Sequence, residues 1–445
     1  MKLTSKILSL LLILTIFASL FASCEKKEKT PEHIDYASTV TLDMNSATAK
    51  AEVTVKAYID GDTTHFYVPK DISSTGVLKA RYISINTPES TGKIEEWGKK
   101  ASNFTKEKLM GATSIIVESD TAEWNLDSTG DRHLVWVWYK DDSSPEYRNL
   151  NIEILQNGLA IASNSGQNIY GSVCLSAIDQ AKRELLNVHS EGKDPDFWYG
   201  DSIPLDIKEL RLNVKDYVGA KVSFEGVVTM NEGEAVYVES YDNETEMYYG
   251  MYIYYGYSLS GDGLEILTVG NRVKIVGTVQ YYETGNTYQV SGLQYRAMKP
   301  NDPNNIQKLD DEKHAPAYVL TDPSQFKDGK VTMLVNDEEK TFNYADLSLY
   351  TSVEMKNLKV VDVYTTSNED SSSKGAMTLT CLVNGIEISV RTTVLYDDAG
   401  NLVTASYFND KTIDVKGMVD FYNSDYSEDF PYQIKIFSVN DVTIH

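Results

Sequence analysis

The second half of this chain repeats itself, and the repeat constrains the fold more than any other feature. VGNRVKIVGTVQYYETGNTYQVSG (269–292) and FNDKTIDVKGMVDFYNSDYSEDFPYQIKIF (408–437) follow one pattern. Each reads as strand, glycine, strand, polar turn and aromatic-rich strand. Upstream of them, VGAKVSFEGVV (218–228) and MKNLKVVDVYT (355–365) form a second related pair. Tyr-, Val- and Thr-rich runs between Gly and Asn turns suit pleated strands, and 30 tyrosines are available for them. The expected architecture is mainly β with some α. Its C-terminal part is two five-strand OB-like β-barrel domains of the Greek-key kind, at residues 203–302 and 315–445. GKDPDFWYGDSIP (192–204) reads as the linker before them, from its Gly, Asp and Pro content.

With 445 residues the chain has room for roughly two to four domains. Its first residues read as a leader. Lys2 and Lys6 precede the apolar run ILSLLLILTIF, and small residues lead to Cys24. That run is short for a membrane span, which needs about 20 residues. Ala22-Ser23-Cys24 resembles a bacterial lipobox, with Phe21 where Leu is more usual. Residues 1–23 are therefore expected to be a lipoprotein signal peptide, with Cys24 as lipidation site and residues 24–48 as a polar tether. Such a protein would be lipid-anchored at the extracellular face of the cell membrane. Cys174 and Cys381 lie far apart and read as free and buried, a disulfide being the alternative. The six histidines are scattered and form no metal motif with cysteine.

Charge divides the chain. Residues 201–445 carry 20 Lys and Arg against 38 Asp and Glu, a net −18 of the total −24. An acidic half is a poor polyanion grip, so nucleic-acid binding is expected of the N-terminal half.

Residues 49–192 read as strands followed by helices. AEVTVKAYID alternates, DGDTTH turns, and LKARYISI, SIIVES and HLVWVWY are further strands. IEEWGKKASNFTKEKL spaces Ile94, Trp97, Ala101 and Phe104 on one helical face. VCLSAIDQAKRELL does the same with Cys174, Ile178, Ala181 and Leu185. A shorter helix within RNLNIEILQNGLA should stop at Gly158.

Chemistry-bearing residues cluster at the strand ends. IDGDT carries Asp60 and Asp62 around a glycine, and RYISINTPE carries Arg81, Asn86, Thr87 and Glu89. GDRHLVWVWY adds Arg132. Each is ordinary turn or surface chemistry by itself. Together, oxygen donors suit a hard cation. A nearby carboxylate can activate water, and two arginines can neutralise a phosphate.

In order and spacing, KAYIDGDT, RYISINTPE, EEWGKKASNFTKEKL, GDRHLVWVWY, LNIEILQNGLA and AIDQAKRELLNV resemble the thermonuclease (staphylococcal-nuclease-like) family. The resemblance implies an OB-type five-stranded barrel with three helices. It implies a Ca²⁺-dependent nuclease acting on DNA and also RNA, releasing 3′-phosphorylated products. Asp62, Asn86 and the Thr87 carbonyl would hold the metal, with Asp60 supporting. Glu89 would be the general base, and Arg81 and Arg132 would bind the phosphate.

Three positions depart from the family pattern. Asn86 stands where Asp is usual, which predicts weaker Ca²⁺ binding or a different divalent preference. Ser128-Thr129-Gly130-Asp131 replaces Lys-Tyr before Arg132, and Asp131 is expected to weaken phosphate attraction there. No tyrosine follows the GLA helix end, which leaves Tyr170 as a substitute. Two other readings stand beside the enzyme. One is an inactive nuclease fold that binds nucleic acid or another ligand at the surface. The other places capture of substrate on MYYGMYIYYGY (247–257) in the acidic barrels.

Overall fold

The computed structural model describes residues 33–445, apart from 144, 284, 336–337, 369–370 and 423–429. The leader, Cys24 and the start of the tether lie outside the described residues. Among the described residues, no helix is long and apolar enough to cross a membrane.

From Tyr36 onward the chain builds three barrels. In the first, β1 (Lys50–Asp60), β2 (Thr63–Tyr67) and β3 (Val77–Tyr82) form an antiparallel meander. β4 (Ser114–Glu118) pairs with the start of β1 and with β5 (His133–Lys140). β5 then closes the barrel by running parallel to β3, with Ala80 opposite His133. Helices α1 (Gly98–Met110), α2 (Leu150–Gln156) and α3 (Gly171–Arg183) pack against it. The core holds the fully buried Trp136 and Trp138. Alternate burial along β3 (Leu78, Ala80 and Tyr82 inward) leaves Lys79 and Arg81 on the outer face.

The second and third barrels have the same topology, as the repeat predicts. β6 (Lys221–Asn231), β7 (Ala235–Asp242), β8 (Met247–Tyr254), β9 (Arg272–Tyr282) and β10 (Thr287–Ser291) form one. Its third strand meets its fifth in parallel, Ile253 opposite Val290. β11 (Ser352–Thr365), β12 (Met377–Val383), β13 (Ile386–Thr392), β14 (Thr412–Phe421) and β15 (Tyr432–Ile436) form the other. Here Val390 pairs with Ile434. The protein is thus mainly β with few helices, organised as five-stranded barrels.

The repeat glycines do not interrupt their strands. Gly277 and Gly417 lie within β9 and β14, where a Cβ would come within 2.7 Å of Ser291 O and 2.5 Å of Lys435 O. They let the fourth strand press against the backbone of the fifth.

The last two barrels share buried surface. Tyr237 of the second barrel belongs to the core of the third, and Leu347, which precedes the third, belongs to the core of the second. Buried Glu239 accepts hydrogen bonds from Ala317 N–H, Ser352 N–H and Ser352 Oγ at 2.9, 2.7 and 2.8 Å. Burial raises its pKa and these bonds oppose the rise.

Several local expectations change. The expected DGDTTH turn is shorter: Thr63, Thr64 and His65 already belong to β2, which begins one residue after Asp62 because Thr64 and Phe66 face the core. Ile94 and Trp97 precede α1 rather than ride on it, since Trp97 takes a left-handed φ of 68° at the N-cap. Leu185 lies past α3 and is 55% exposed, whereas Cys174, Ala177, Ile178 and Ala181 form the buried face. The expected tether is apolar enough to dock in part: Ala37 is fully buried, and Tyr36, Val40 and Leu42 pack on the first core. The linker is also held, because Asp194 is buried and accepts the Trp97 N–H at 2.6 Å. Both described cysteines are free and buried. The α2 terminus follows expectation. Gly158 at φ 64° donates to Leu155 O, and Leu159 N–H reaches Ile154 O, which closes the helix.

Candidate active site

The turn between β1 and β2 places two carboxylates side by side against α1. Gly61 permits this by its size: a Cβ there would lie 2.9 Å from both Ala101 Cβ and the Thr87 side chain. Thr105 on α1 fixes the turn by donating to Gly61 O at 2.6 Å. Asp62 is buried, and its Oδ2 accepts the Thr87 N–H at 2.9 Å, joining the turn to the segment after β3.

That segment does not continue β3 straight to Asn86. The strand ends at Tyr82, Ser84 takes φ 68°, and Ile85–Asn86 forms a separate short ladder with Ile161–Ala162. Buried Asn151 at the start of α2 satisfies the Ile83 carbonyl at this bend, donating to it at 3.0 Å, and also donates at 3.1 Å to Val135 O, which already accepts the Ile83 N–H. The bend carries Asn86 and Glu89 back over the end of the barrel.

The result is a cleft of about 480 Å³ that gathers Asp60, Asp62, Arg81, Asn86, Glu89 and Arg132. Thr87 lies buried beside it rather than lining it. Arg81 stands opposite Thr63 across the β2–β3 ladder. It forms an ion pair with Asp62 and donates from Nη2 to Asn86 Oδ1 at 2.6 Å. Burial and the neighbouring Arg132 charge both depress its pKa.

Asp60 is also buried, with Oδ1 accepting the Gly61 N–H at 2.8 Å and the Ser90 hydroxyl at 2.7 Å. Burial pushes its pKa up to about 7 against the pull of those two hydrogen bonds. The Glu89 carboxylate adds to the rise through repulsion and a shared hydrogen bond. A buried carboxyl group with a second one beside it in the cleft is a setting that a bound cation would relieve.

Two residues near Arg132 were not legible in the sequence. Asp127 accepts from Arg132 Nε at 2.7 Å and from Nη2 at 2.6 Å, so it, not Asp131, neutralises this arginine. Burial pushes the Asp127 carboxyl up, but hydrogen bonds from Thr129 and Arg132 hold it below the ordinary carboxylate range. Asp131 instead pairs with Lys79 at 2.7 Å, a cation on the cleft wall. An arginine followed outward by a lysine at alternate strand positions was the available signal for Lys79. Tyr170 does not replace the family tyrosine. It stacks edge-on against Trp136 and Trp138 and donates to buried Glu118 at 3.2 Å, outside the cleft. In the tyrosine-rich stretch 247–257, Tyr249 on β8 and Tyr255 just past it are core residues, while Tyr257 is 90% exposed.

Residues 79–191 match the family described as staphylococcal nuclease homologue. The chain carries a staphylococcal-nuclease-like domain. No curated protein matches the chain. The family match starts at Lys79 and so omits β1, β2 and the turn between them, which supply Asp60 and Asp62. The β2–β3 ladder and the bond from Thr87 N–H to Asp62 bring those acids to the nuclease-like segment.

The site's donor chemistry fits a hard cation. Each candidate ligand is an oxygen, and Thr87 Oγ1 is buried without a hydrogen-bond partner. Among the described residues no three Asp, Glu, His or Cys side chains form a ready-made metal cluster. An ion in this nuclease-like domain would therefore draw on an amide or main-chain oxygens besides Asp62. It would also compete with Arg81 for the Asp62 and Asn86 oxygens.

Proposed function

We propose that this chain is a divalent-cation-dependent nuclease that hydrolyses phosphodiester bonds of DNA and RNA, with Glu89 as general base. One observation carries the reading: Arg81, Arg132 and the exposed Glu89 converge on a single cleft. The two guanidiniums would exchange their contacts with Asp62 and Asp127 for the phosphate oxygens of the substrate. Glu89 would take a proton from water as its oxygen bonds to phosphorus in line with the breaking P–O5′ bond. The 5′-oxygen leaves and is protonated from solvent, and the phosphate stays on the 3′ side. A bound Ca²⁺ would supply positive charge to the phosphate, and Asp62, Asn86 and the Thr87 carbonyl are the groups to hold it. Glu89→Gln keeps the shape and removes the base. Cleavage of single-stranded DNA should fall by about 10²–10⁴ with the thermal midpoint unchanged; wild-type rates in this variant would refute the assignment.

The leader and the Ala22-Ser23-Cys24 triplet support secretion and lipid anchoring at the extracellular face of the membrane. Incorporation of a labelled fatty acid should be lost in Cys24→Ser, and persistent labelling would refute it.

A second reading, a nucleic-acid-binding surface protein without cleavage, draws on the hold of Arg81 over Asp62 and Asn86. Oligonucleotide binding with no cleavage across a titration of Ca²⁺, Mg²⁺ and Mn²⁺ would select it.

A further inference from the structure

Glu89 sits at the neck of a loop that closes on itself. Its carbonyl accepts the Glu95 N–H at 2.9 Å, and its own N–H donates to the Glu95 carboxylate at 3.2 Å. The span between them, STGKI, contains one apolar residue, Ile94. It cannot bury enough of itself to stay fixed on its own.

The second barrel supplies the missing contacts. Gly292, just after β10, donates its N–H to Gly92 O at 2.7 Å. Ile94 lies against Gly292, so close that a Cβ there would come within 3.1 Å of Ile94 Cδ1. On β9, Gln280 donates from Nε2 to Ser90 O at 2.7 Å. The other end of that amide accepts from the hydroxyl of fully buried Ser291, so the network fixes which way the amide points. Ser90 in turn donates to Asp60, and it directly follows Glu89 in the chain. A hydrogen-bonded line thus runs from the interior of the second barrel, through Gln280, to Ser90, the residue next to the proposed general base.

We propose that Gln280 is a positioning residue for Glu89, and that the second barrel holds the catalytic loop in its working geometry. This rests on the nuclease reading above. A general base acts only within hydrogen-bond reach of the water it deprotonates, and a displacement of about 1 Å can cost on the order of 10²-fold in rate.

The test uses the full chain carrying Gln280→Met, which keeps length and loses both polar atoms, and Gln280→Glu, which keeps an acceptor for Ser291 and loses the donor. Both should lower kcat about tenfold on single-stranded DNA with KM changed less than twofold. Amide exchange of Gly292 and Glu95, whose N–H groups are bonded to Gly92 O and Glu89 O, should quicken, while exchange in β7 and β8 stays at the wild-type rate. An unchanged kcat overturns the proposal whatever the exchange does, and a lower kcat with unaltered loop exchange overturns it as well. Wild-type protein without activity would overturn the nuclease reading and the positioning role of Gln280 with it. Loop exchange in the two variants would still decide whether the barrel fixes the loop.

Discussion

Arg81 is paired with Asp62, the acid next to its own cross-strand partner Thr63. Through its other terminal nitrogen it also holds Asn86 Oδ1. One guanidinium therefore occupies oxygens from two of the three groups proposed for the metal. Asn86 brings no charge to attract an ion away from it. Asn86→Asp adds that charge and should tighten Ca²⁺ about tenfold, near 1.4 kcal/mol, in calorimetry. Unchanged affinity would mean that residue 86 is not a ligand.

Arg132 is restrained in a comparable way by Asp127, whose side chain is more buried than the arginine's. Asp127→Asn removes the competing anion while keeping an oxygen acceptor. At low ionic strength KM for oligonucleotides should fall about two- to fivefold, the scale of a partly exposed ion pair at about 0.2–1 kcal/mol. The gain should fade at high salt, where exposed charges are screened. A KM that rises instead would show that Asp127 orients Arg132 more than it neutralises it.

Asp60 sets a pH dependence of stability. Its folded-state pKa near 7 lies above the value of about 4 for the unfolded chain, so the native state binds this proton more tightly. The associated stability is complete below about pH 4, is lost as pH rises to about 7, and stays lost above that. Asp60→Asn removes the titration. In metal-free buffer the variant should match wild type near pH 4 and be more stable at pH 8, by an amount on the order of a few kcal/mol. Equal differences at pH 5 and pH 8 in thermal denaturation would contradict the assignment.

Much of this was readable in the sequence because the informative patterns are local. The paired glycine-centred repeats carry their own strand period, and they became β9–β10 and β14–β15. Asp60, Asp62, Arg81, Glu89 and Arg132 stood out by residue type and spacing, and one cleft collects them. What escaped depends on partners that no local pattern names. Thr63, Thr64 and His65 look like a polar turn until the barrel buries Thr64. Asp127 sits in an irregular stretch, and only the return of the chain at Arg132 brings it into play. Tyr170 is drawn away from the cleft by two core tryptophans on β5. Gln280 is an unremarkable strand residue in sequence, and its partner Ser90 lies in another barrel.

The exchange of Tyr237 and Leu347 between the last two cores has a consequence for how this protein comes apart. Separating those barrels would uncover apolar side chains on both and strip Glu239 of every donor that compensates its burial. The pair is therefore expected to melt in one cooperative transition, with no populated state in which either stands alone. A mutation deep in the third barrel would then loosen the second, and through it the loop that carries Glu89.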